Sequence, residues 1–196
     1  MSKLGFSEKI KISAEPLLLP IVRLLANLNV HPNIITSLCL VGFIISAFFV
    51  AQGKFLLAGL ILLAFAPLDA IDGLLARTAN KITKFGAFLD STMDRYGEIF
   101  LFLAFTYYFL LKGSVSGVII SFLGITGSIM VSYTRARAEG LGITCKVGLF
   151  TRFERIALII LSLILETIFL ALTILAFLTH ITALQRIWYV YRATKS

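Results

Sequence analysis

Residues 69–94 read DAIDGLLARTANKITKFGAFLDSTMD, and this stretch contains all four aspartates of the chain. It lies between segments apolar enough to cross a bilayer, where carboxylates are costly unless something binds them, and neighbouring carboxylates also repel one another. Divalent cations would relieve both costs, because hard ions such as Mg²⁺ prefer several oxygen ligands. Metals held by carboxylates commonly bind phosphate groups. The stretch therefore predicts a metal-dependent phosphate site among membrane-spanning helices.

The composition is that of a polytopic membrane protein. Of 196 residues, 59% are hydrophobic and 14% are charged, and the mean hydropathy is +0.96, values outside the usual range of soluble domains. Six spanning helices of about 20 residues would use most of this length. We therefore predict one all-α membrane domain over residues 1–196. The N-terminal segment lacks a signal-peptide pattern and is expected to stay on the protein.

Six apolar segments are candidate transmembrane helices, and together they predict a six-helix bundle over residues 33–191. They cover residues 33–51, 55–77, 85–111, 115–137, 153–165 and 167–189. No Gly or Pro separates the last two segments. Glu166, the only charged residue between Arg155 and Arg186, is the predicted turn between them. The fifth segment is short for a full crossing and would tilt little or thin the bilayer.

The basic residues predict the topology. Given these spans, all 18 Lys and Arg residues except Lys54 and Lys112 fall on one side. By the positive-inside rule, that side and both termini are cytoplasmic in a multi-pass protein of the cell membrane. The aspartates lie at the same face. Because topology explains the net charge of +8, we do not predict nucleic-acid binding.

Residues 10–29 differ from the spans because apolar and polar side chains alternate at helical spacing. We predict a juxtamembrane amphipathic helix that lies in the headgroup region. A cytoplasmic helix packed on the bundle is the alternative. Pro32 disfavours helix at His31, and Asn33 can cap the first span.

The spacing of the aspartates places them in two pairs. Asp69 and Asp72 are three residues apart, and Asp90 and Asp94 are four apart, so each pair shares a helix face. The short polar loop between the two helices predicts an antiparallel pair whose carboxylates converge. Glycines next to these pairs would let a nucleotide or metal approach the backbone, or would serve helix packing. They are Gly73 and Gly86.

The pattern D-x2-D-G-x2-A-R-x8-G-x3-D-x3-D over residues 69–94 resembles the signature of the CDP-alcohol phosphotransferase family at every fixed position. The resemblance implies a six-helix membrane enzyme, usually a homodimer. Such an enzyme transfers a substituted phosphate from a CDP-linked alcohol, here a CDP-linked lipid, to a second alcohol and releases CMP.

The resemblance also assigns roles to the residues of the motif. Two divalent metals per active site, Mg²⁺ or Mn²⁺, would be held by the four aspartates, which are Asp69, Asp72, Asp90 and Asp94. Asp94 is either a ligand or the catalytic base toward the acceptor hydroxyl, and these roles compete because a bound dication lowers carboxylate basicity. CDP-binding residues would be Asp69, Gly73, Arg77 and Gly86. Arg77 suits a two-pronged contact with the CDP phosphates.

Four arginines at the end of the fourth span and in the segment that follows suggest that the acceptor carries its own phosphate. They are Arg135, Arg137, Arg152 and Arg155. Positive-inside topology alone is the alternative explanation. The run YTRARAE at residues 133–139 is similar to the phosphatidylinositol-phosphate synthase branch and its archaeal relatives, which implies inositol phosphate as acceptor. It resembles phosphatidylglycerol-phosphate synthases less closely, and these use glycerol 3-phosphate.

Two other classes of membrane protein fit the sequence less well. An ion or proton transporter would also place aspartates in a helical bundle, but near the bilayer midplane, whereas these lie at one face. A lipid-binding scaffold would not need four converging acids. The predicted partners are therefore the CDP-lipid donor, a phosphorylated polyol acceptor, membrane lipids and a second copy of the chain.

Overall fold

The computed structural model describes residues 6–195, and this part of the chain is all-α, with eight helices and no strand. The helices are α1 Phe6–Asn27, α2 Pro32–Ala51, α3 Phe55–Phe65, α4 Leu68–Thr78, α5 Lys84–Leu111, α6 Val115–Gly140, α7 Arg152–Ile164 and α8 Ile168–Ala193. Their bounds follow the apolar segments of the sequence closely. The main difference lies in the second predicted span, which is divided into α3 and α4.

Pro67 explains why the second predicted span is divided. It has no backbone N–H to donate, and its ring disfavours the preceding helical turn, so α3 ends at Phe65 and α4 begins at Leu68. The break places Asp69 in the first turn of α4. The turn between α7 and α8 lies at Glu166, which has a positive φ of 56°. The sequence prediction of a turn at this residue is confirmed.

Within the described residues, four helical stretches are long and apolar enough to cross a membrane by length and composition. They are Pro32–Ala51, Phe55–Thr78, Val115–Gly140 and Ile168–Ala193. The chain is therefore an integral membrane protein. Two of the six predicted spans fall outside this set. Helix α5 has 28 residues and includes Asp90 and Asp94, whereas α7 has only 13 residues.

The helices pack around α2 and α5. Helix α2 contacts α3, α4 and α5, while α6 packs between α5 and α8, and α7 contacts α3 and α8. The main apolar core contains Phe43 of α2, Phe102 and Phe105 of α5, and Leu172 of α8. At Gly97 of α5 a Cβ atom would lie 2.9 Å from the Phe43 ring. The missing side chain thus allows α2 to approach α5 closely.

Helix α1 packs on α4 and leaves a second apolar face exposed. Val22 is fully buried in a small core with Ile35, Ile71 and Leu75. Along the same helix Leu17 and Leu24 are 79% and 60% exposed. Residues 1–5, at the start of the chain, lie outside the described part. The helix therefore combines packing on the bundle with an apolar surface that has no protein partner among the described residues.

Candidate active site

Three of the four aspartates converge at one end of the bundle. Asp69 comes from the first turn of α4, and Asp90 and Asp94 come from successive turns of α5. Each offers one carboxylate oxygen, and these oxygens all lie within 4.8 Å of one another. All three residues are partly buried. The i, i+4 spacing on α5 and the position of Asp69 at the start of α4 thus bring three carboxylates together, whereas the sequence predicted the convergence of all four.

Asp72 is held beside this cluster by a hydrogen bond from α2. The Thr36 hydroxyl donates to Asp72 Oδ2 at 2.6 Å, and both residues are buried. Asp72 lies one helical turn after Asp69 on α4, so both carboxylates are on the same side of that helix. Thr36 thus fixes the orientation of the one aspartate that does not belong to the close group of three.

Arg152 at the start of α7 bridges two of the converging carboxylates. Its Nη1 lies 2.6 Å from Asp69 Oδ1, and its Nη2 lies 2.8 Å from Asp94 Oδ1. The guanidinium also stands over the Phe43 ring, 5.7 Å from the centroid. This arrangement brings a permanently charged group with directed N–H donors to the same oxygens that could hold a metal.

Arg155, one turn after Arg152, lies behind the cluster in a buried ion pair with Glu98. Its Nη2 donates to Glu98 Oε1 at 2.7 Å, and its Nε donates to Oε2 at 3.1 Å. The two residues are 1% and 3% exposed. The guanidinium is therefore engaged with Glu98 and is not open to solvent, unlike those of the exposed Arg135 and Arg137.

The start of α7 is fixed by local and distant contacts. Thr151 and Glu154 form a capping box, in which each side chain bonds the backbone N–H of the other. In the preceding loop, Arg186 of α8 donates through Nε to the Val147 carbonyl at 2.9 Å. Thr182 of α8 accepts from the Phe150 N–H at 3.2 Å. The position of Arg152 thus depends on α8 as well as on its own helix.

The predicted CDP-binding residues lie on the two helices that carry the aspartates, with Asp69, Gly73 and Arg77 on α4 and Gly86 on α5. A Cβ atom added at Gly73 would meet only Nη1 of Arg77, at 3.9 Å, so the surface of α4 is open there. Arg77 itself is exposed. Gly86 has a different environment, because a Cβ atom would lie 3.0 Å from Thr83 Oγ1 and 3.3 Å from Asn33 Oδ1. Close packing thus accounts for Gly86, whereas Gly73 leaves room for a ligand.

The remaining predicted acceptor arginines lie at the end of α6. Arg135 and Arg137 are both exposed. Arg135 Nε pairs with Glu139 Oε1 at 2.8 Å on the next turn of the helix, an exposed contact of the kind that contributes little stability. The four arginines are thus not one cluster: Arg152 contacts the carboxylates, Arg155 is buried, and Arg135 and Arg137 are on the surface.

Two residues that shape the site, Thr36 and Glu98, were not predicted from the sequence. Glu98 had a detectable signal, since it follows Asp94 by four residues and continues the face that carries Asp90 and Asp94. No signal in the sequence pointed to Thr36, because its partner Asp72 lies 36 residues away. One threonine in an apolar helix usually bonds its own backbone, as Thr36 also does with the Pro32 carbonyl.

The donor atoms fit a divalent cation of the Mg²⁺ or Mn²⁺ type. Asp69, Asp90 and Asp94 contribute oxygen ligands only, and the spacing of those oxygens allows one ion to contact several of them. No sulfur or imidazole ligand belongs to this group within the described residues. The group therefore offers the oxygen donors that hard divalent cations prefer.

Comparisons with known proteins show which family the chain resembles. The sequence profile described as CDP-alcohol phosphatidyltransferase matches residues 29–188. An archaetidylinositol phosphate synthase from Pyrococcus horikoshii is 39% identical over 176 residues, which cover 87% of each chain.

Solved structures give the same result for the fold. The phosphatidylinositol phosphate synthase of Mycobacterium tuberculosis with CDP-DAG bound matches with a TM-score of 0.83 and 25% identity, over 90% of this chain and 94% of that one. The same enzyme in complex with manganese and citrate matches with a TM-score of 0.81 and 26% identity, over 88% of each chain. The profile match, the sequence relative and the shared fold show that the chain belongs to the CDP-alcohol phosphatidyltransferase family.

Proposed function

We propose that this phosphotransferase moves a substituted phosphate from a CDP-linked lipid to the hydroxyl of inositol phosphate and releases CMP. The observation that carries the proposal is the convergence of Asp69, Asp90 and Asp94 within 4.8 Å, with Arg152 bonded to two of them. The names of the relatives, an archaetidylinositol phosphate synthase and a phosphatidylinositol phosphate synthase, support inositol phosphate as the acceptor.

Two divalent cations, Mg²⁺ or Mn²⁺, would be held by Asp69, Asp72, Asp90 and Asp94. When bound, such ions neutralise the charge that develops on the pyrophosphate as CMP leaves. The manganese complex of the Mycobacterium tuberculosis enzyme supports this type of metal. The hydrogen bond from Thr36 would keep Asp72 in a fixed orientation, as supporting contacts commonly do for metal-binding carboxylates.

In the proposed reaction, the acceptor hydroxyl oxygen forms a bond to phosphorus while the bond from phosphorus to the CMP oxygen breaks. The hydroxyl proton must leave as that bond forms, and Asp94 would accept it. Asp94 already lies within 2.8 Å of Arg152, which would favour its charged form. A bound cation would lower the basicity of this carboxylate further. Asp94 can therefore act as base only if any contact with metal is weak or broken during the transfer.

Donor binding would use the open surface at Gly73 together with Asp69, Arg77 and Gly86. Gly73 offers space beside the carboxylates, and the exposed Arg77 side chain can reach a phosphate with two N–H donors. The Mycobacterium tuberculosis relative binds CDP-DAG, which supports a CDP-lipid as the donor.

Acceptor binding would use Arg152 as the main contact to the phosphate of inositol phosphate, with Arg135 and Arg137 contributing from α6. Arg152 stands beside Asp94, so a phosphate held by it would bring a polyol hydroxyl near the proposed base. Arg155 is hydrogen-bonded to both oxygens of Glu98, and its contribution to binding of the acceptor phosphate would therefore be indirect.

The enzyme would work as a homodimer in the cell membrane with six spanning helices, formed by α2, the α3 and α4 pair, α5, α6, α7 and α8. The active site and both termini would face the cytoplasm, as the distribution of Lys and Arg supports. Helix α1 would lie at the headgroup level, with exposed Leu17 and Leu24 in contact with lipid.

Purified protein tests this function directly. Incubation with a CDP-lipid, Mg²⁺ and inositol phosphate should release CMP, which chromatography detects, and removal of the metal with a chelator should stop the release. Diacyl and ether-linked donors should be compared. Faster release with glycerol 3-phosphate would favour the alternative acceptor. Absence of CMP with every donor, acceptor and metal would contradict the proposal.

A further inference from the structure

The buried Glu98 and Arg155 pair is not explained by the family motif or by the proposed chemistry. Taking both charges out of water is costly, and apolar residues of similar size often stabilise a core equally well. Here two hydrogen bonds of 2.7 and 3.1 Å join the groups between α5 and α7. Such a pair at a site one turn from Arg152 suggests a role in positioning.

Arg152 contacts both this ion pair and the carboxylate cluster. Its Nε lies 3.7 Å from Glu98 Oε1 and is buried without a hydrogen-bond partner within the described residues. Its two terminal nitrogens bond Asp69 and Asp94 at 2.6 and 2.8 Å. The two Nη atoms thus face the cluster, whereas Nε faces Glu98 without a hydrogen bond.

Arg155 fixes the orientation of Glu98, and Glu98 in turn lies behind Arg152. Arg155 holds Glu98 in a fixed orientation through one hydrogen bond to each carboxylate oxygen, and in this orientation Arg152 Nε lies 3.7 Å from Oε1. The negative charge of Glu98 attracts Arg152 at short range and offsets the repulsion between the two arginines. The Phe43 ring beneath the guanidinium limits its movement on another side.

We propose that Glu98 and Arg155 are positioning residues that aim the Arg152 guanidinium at the carboxylate cluster, where it contacts the acceptor phosphate. The inference rests on the proposed function for the identity of that phosphate. Glu98 supplies the negative charge behind Arg152, and Arg155 fixes Glu98 in that position through its two hydrogen bonds. Loss of either residue would leave Arg152 present but wrongly oriented.

A double-mutant cycle between Glu98 and Arg152 tests this proposal. Glu98→Gln should lower kcat/KM for inositol phosphate by about tenfold or more while the donor KM changes less than about twofold. In an Arg152→Ala background the same substitution should change kcat/KM by less than about twofold, because the residue it orients is gone. Calorimetric titration with inositol phosphate should show the same pattern in affinity, independently of turnover.

The controls separate positioning from stability. Glu166→Gln removes the same type of charge at the turn between α7 and α8 and should leave both readouts unchanged. If Glu98→Gln does not yield folded protein, Arg155→Lys takes its place in the cycle, because it keeps the charge and loses the two-pronged contact. If Arg152→Ala turns over too slowly, Arg152→Lys replaces it.

Each outcome has a distinct meaning. If the unmodified enzyme releases no CMP and does not bind inositol phosphate, the proposed function fails. If it does both, but the effects of the Glu98 and Arg152 substitutions multiply independently, the pair only stabilises the fold and the positioning role is overturned. Loss of the Glu98→Gln effect in the Arg152→Ala background supports the proposal.

Discussion

At the scale of single residues, the converging carboxylates should each be indispensable. Replacing Asp69, Asp90 or Asp94 with Asn keeps the side-chain shape but removes the charge that holds a hard cation. We expect CMP release to fall below detection while circular dichroism shows an unchanged helical content. Turnover close to that of the unmodified enzyme in any two of these variants would contradict the metal site.

Asp94 allows a finer prediction, because its two proposed roles affect different steps. If it acts mainly as the base, Asp94→Asn should still bind the CDP-lipid in the presence of Mg²⁺ and fail only in transfer. If it is chiefly a metal ligand, donor binding should weaken as well. Titration with a CDP-lipid, monitored by calorimetry, separates the two roles, and Asp69→Asn serves as the reference for loss of a ligand.

Thr36 should matter through Asp72. Thr36→Val removes the 2.6 Å hydrogen bond and keeps the side-chain volume, so Asp72 loses its fixed orientation. Supporting contacts of this type commonly contribute about 10-fold to 100-fold in metal affinity or activity. We expect a loss of that size in CMP release, with a higher Mg²⁺ requirement. Thr126→Val is the matched control, since the Thr126 hydroxyl bonds the backbone of its own helix.

Some contacts of the site could be predicted from the sequence, and others could not. Asp90 and Asp94 were predictable as neighbours because helical spacing relates them locally, and the same rule would have found Glu98. Bonds between distant segments were not predictable. Arg152 lies 83 residues from Asp69 in the sequence, so its placement among the carboxylates depends on how α4 and α7 pack. The pattern indicated a phosphate contact for Arg152 and gave the same indication for the buried Arg155.

At the scale of secondary-structure elements, the break at Pro67 should be functional. Pro67→Ala restores an N–H and removes the clash that divides α3 from α4, so a more continuous helix becomes possible. Asp69 and Asp72 would then rotate relative to Asp90 and Asp94 on α5. Misplacement by about 1 Å can lower turnover about 100-fold. We expect reduced CMP release and equal or higher thermal stability; unchanged activity would show that the break does not position the site.

The elements themselves were largely predictable. Apolar segments gave helix positions within a few residues, and the charge of Glu166 gave the turn between α7 and α8, which the structure confirms. The division at Pro67 had a clear signal in the sequence, but the length of the apolar run suggested one span. For α1, helical spacing indicated an amphipathic helix, whereas its contact with α4 depends on tertiary packing.

At the scale of the whole molecule, the unequal distribution of Lys and Arg predicts which side of the membrane carries the active site. Single cysteines at positions 54, 112 and 166 should react with an impermeant maleimide added to intact cells. Single cysteines at positions 81, 146 and 195 should react only after the membrane is opened. The native Cys39 and Cys145 are buried and should first be replaced with Ala, with CMP release measured to confirm that the fold survives.

The short helix α7 makes position 166 the decisive test. At 13 residues and about 1.5 Å per residue, α7 is shorter than the hydrocarbon core of about 30 Å, so it reaches the far side only if the bilayer thins or neighbouring helices shield the turn. Labelling of position 166 from outside and of position 195 only from inside would support six crossings. Protection at 166 with labelling at 195 would mean five crossings, and the C-terminus would then lie on the opposite side from Asp69, Asp90 and Asp94.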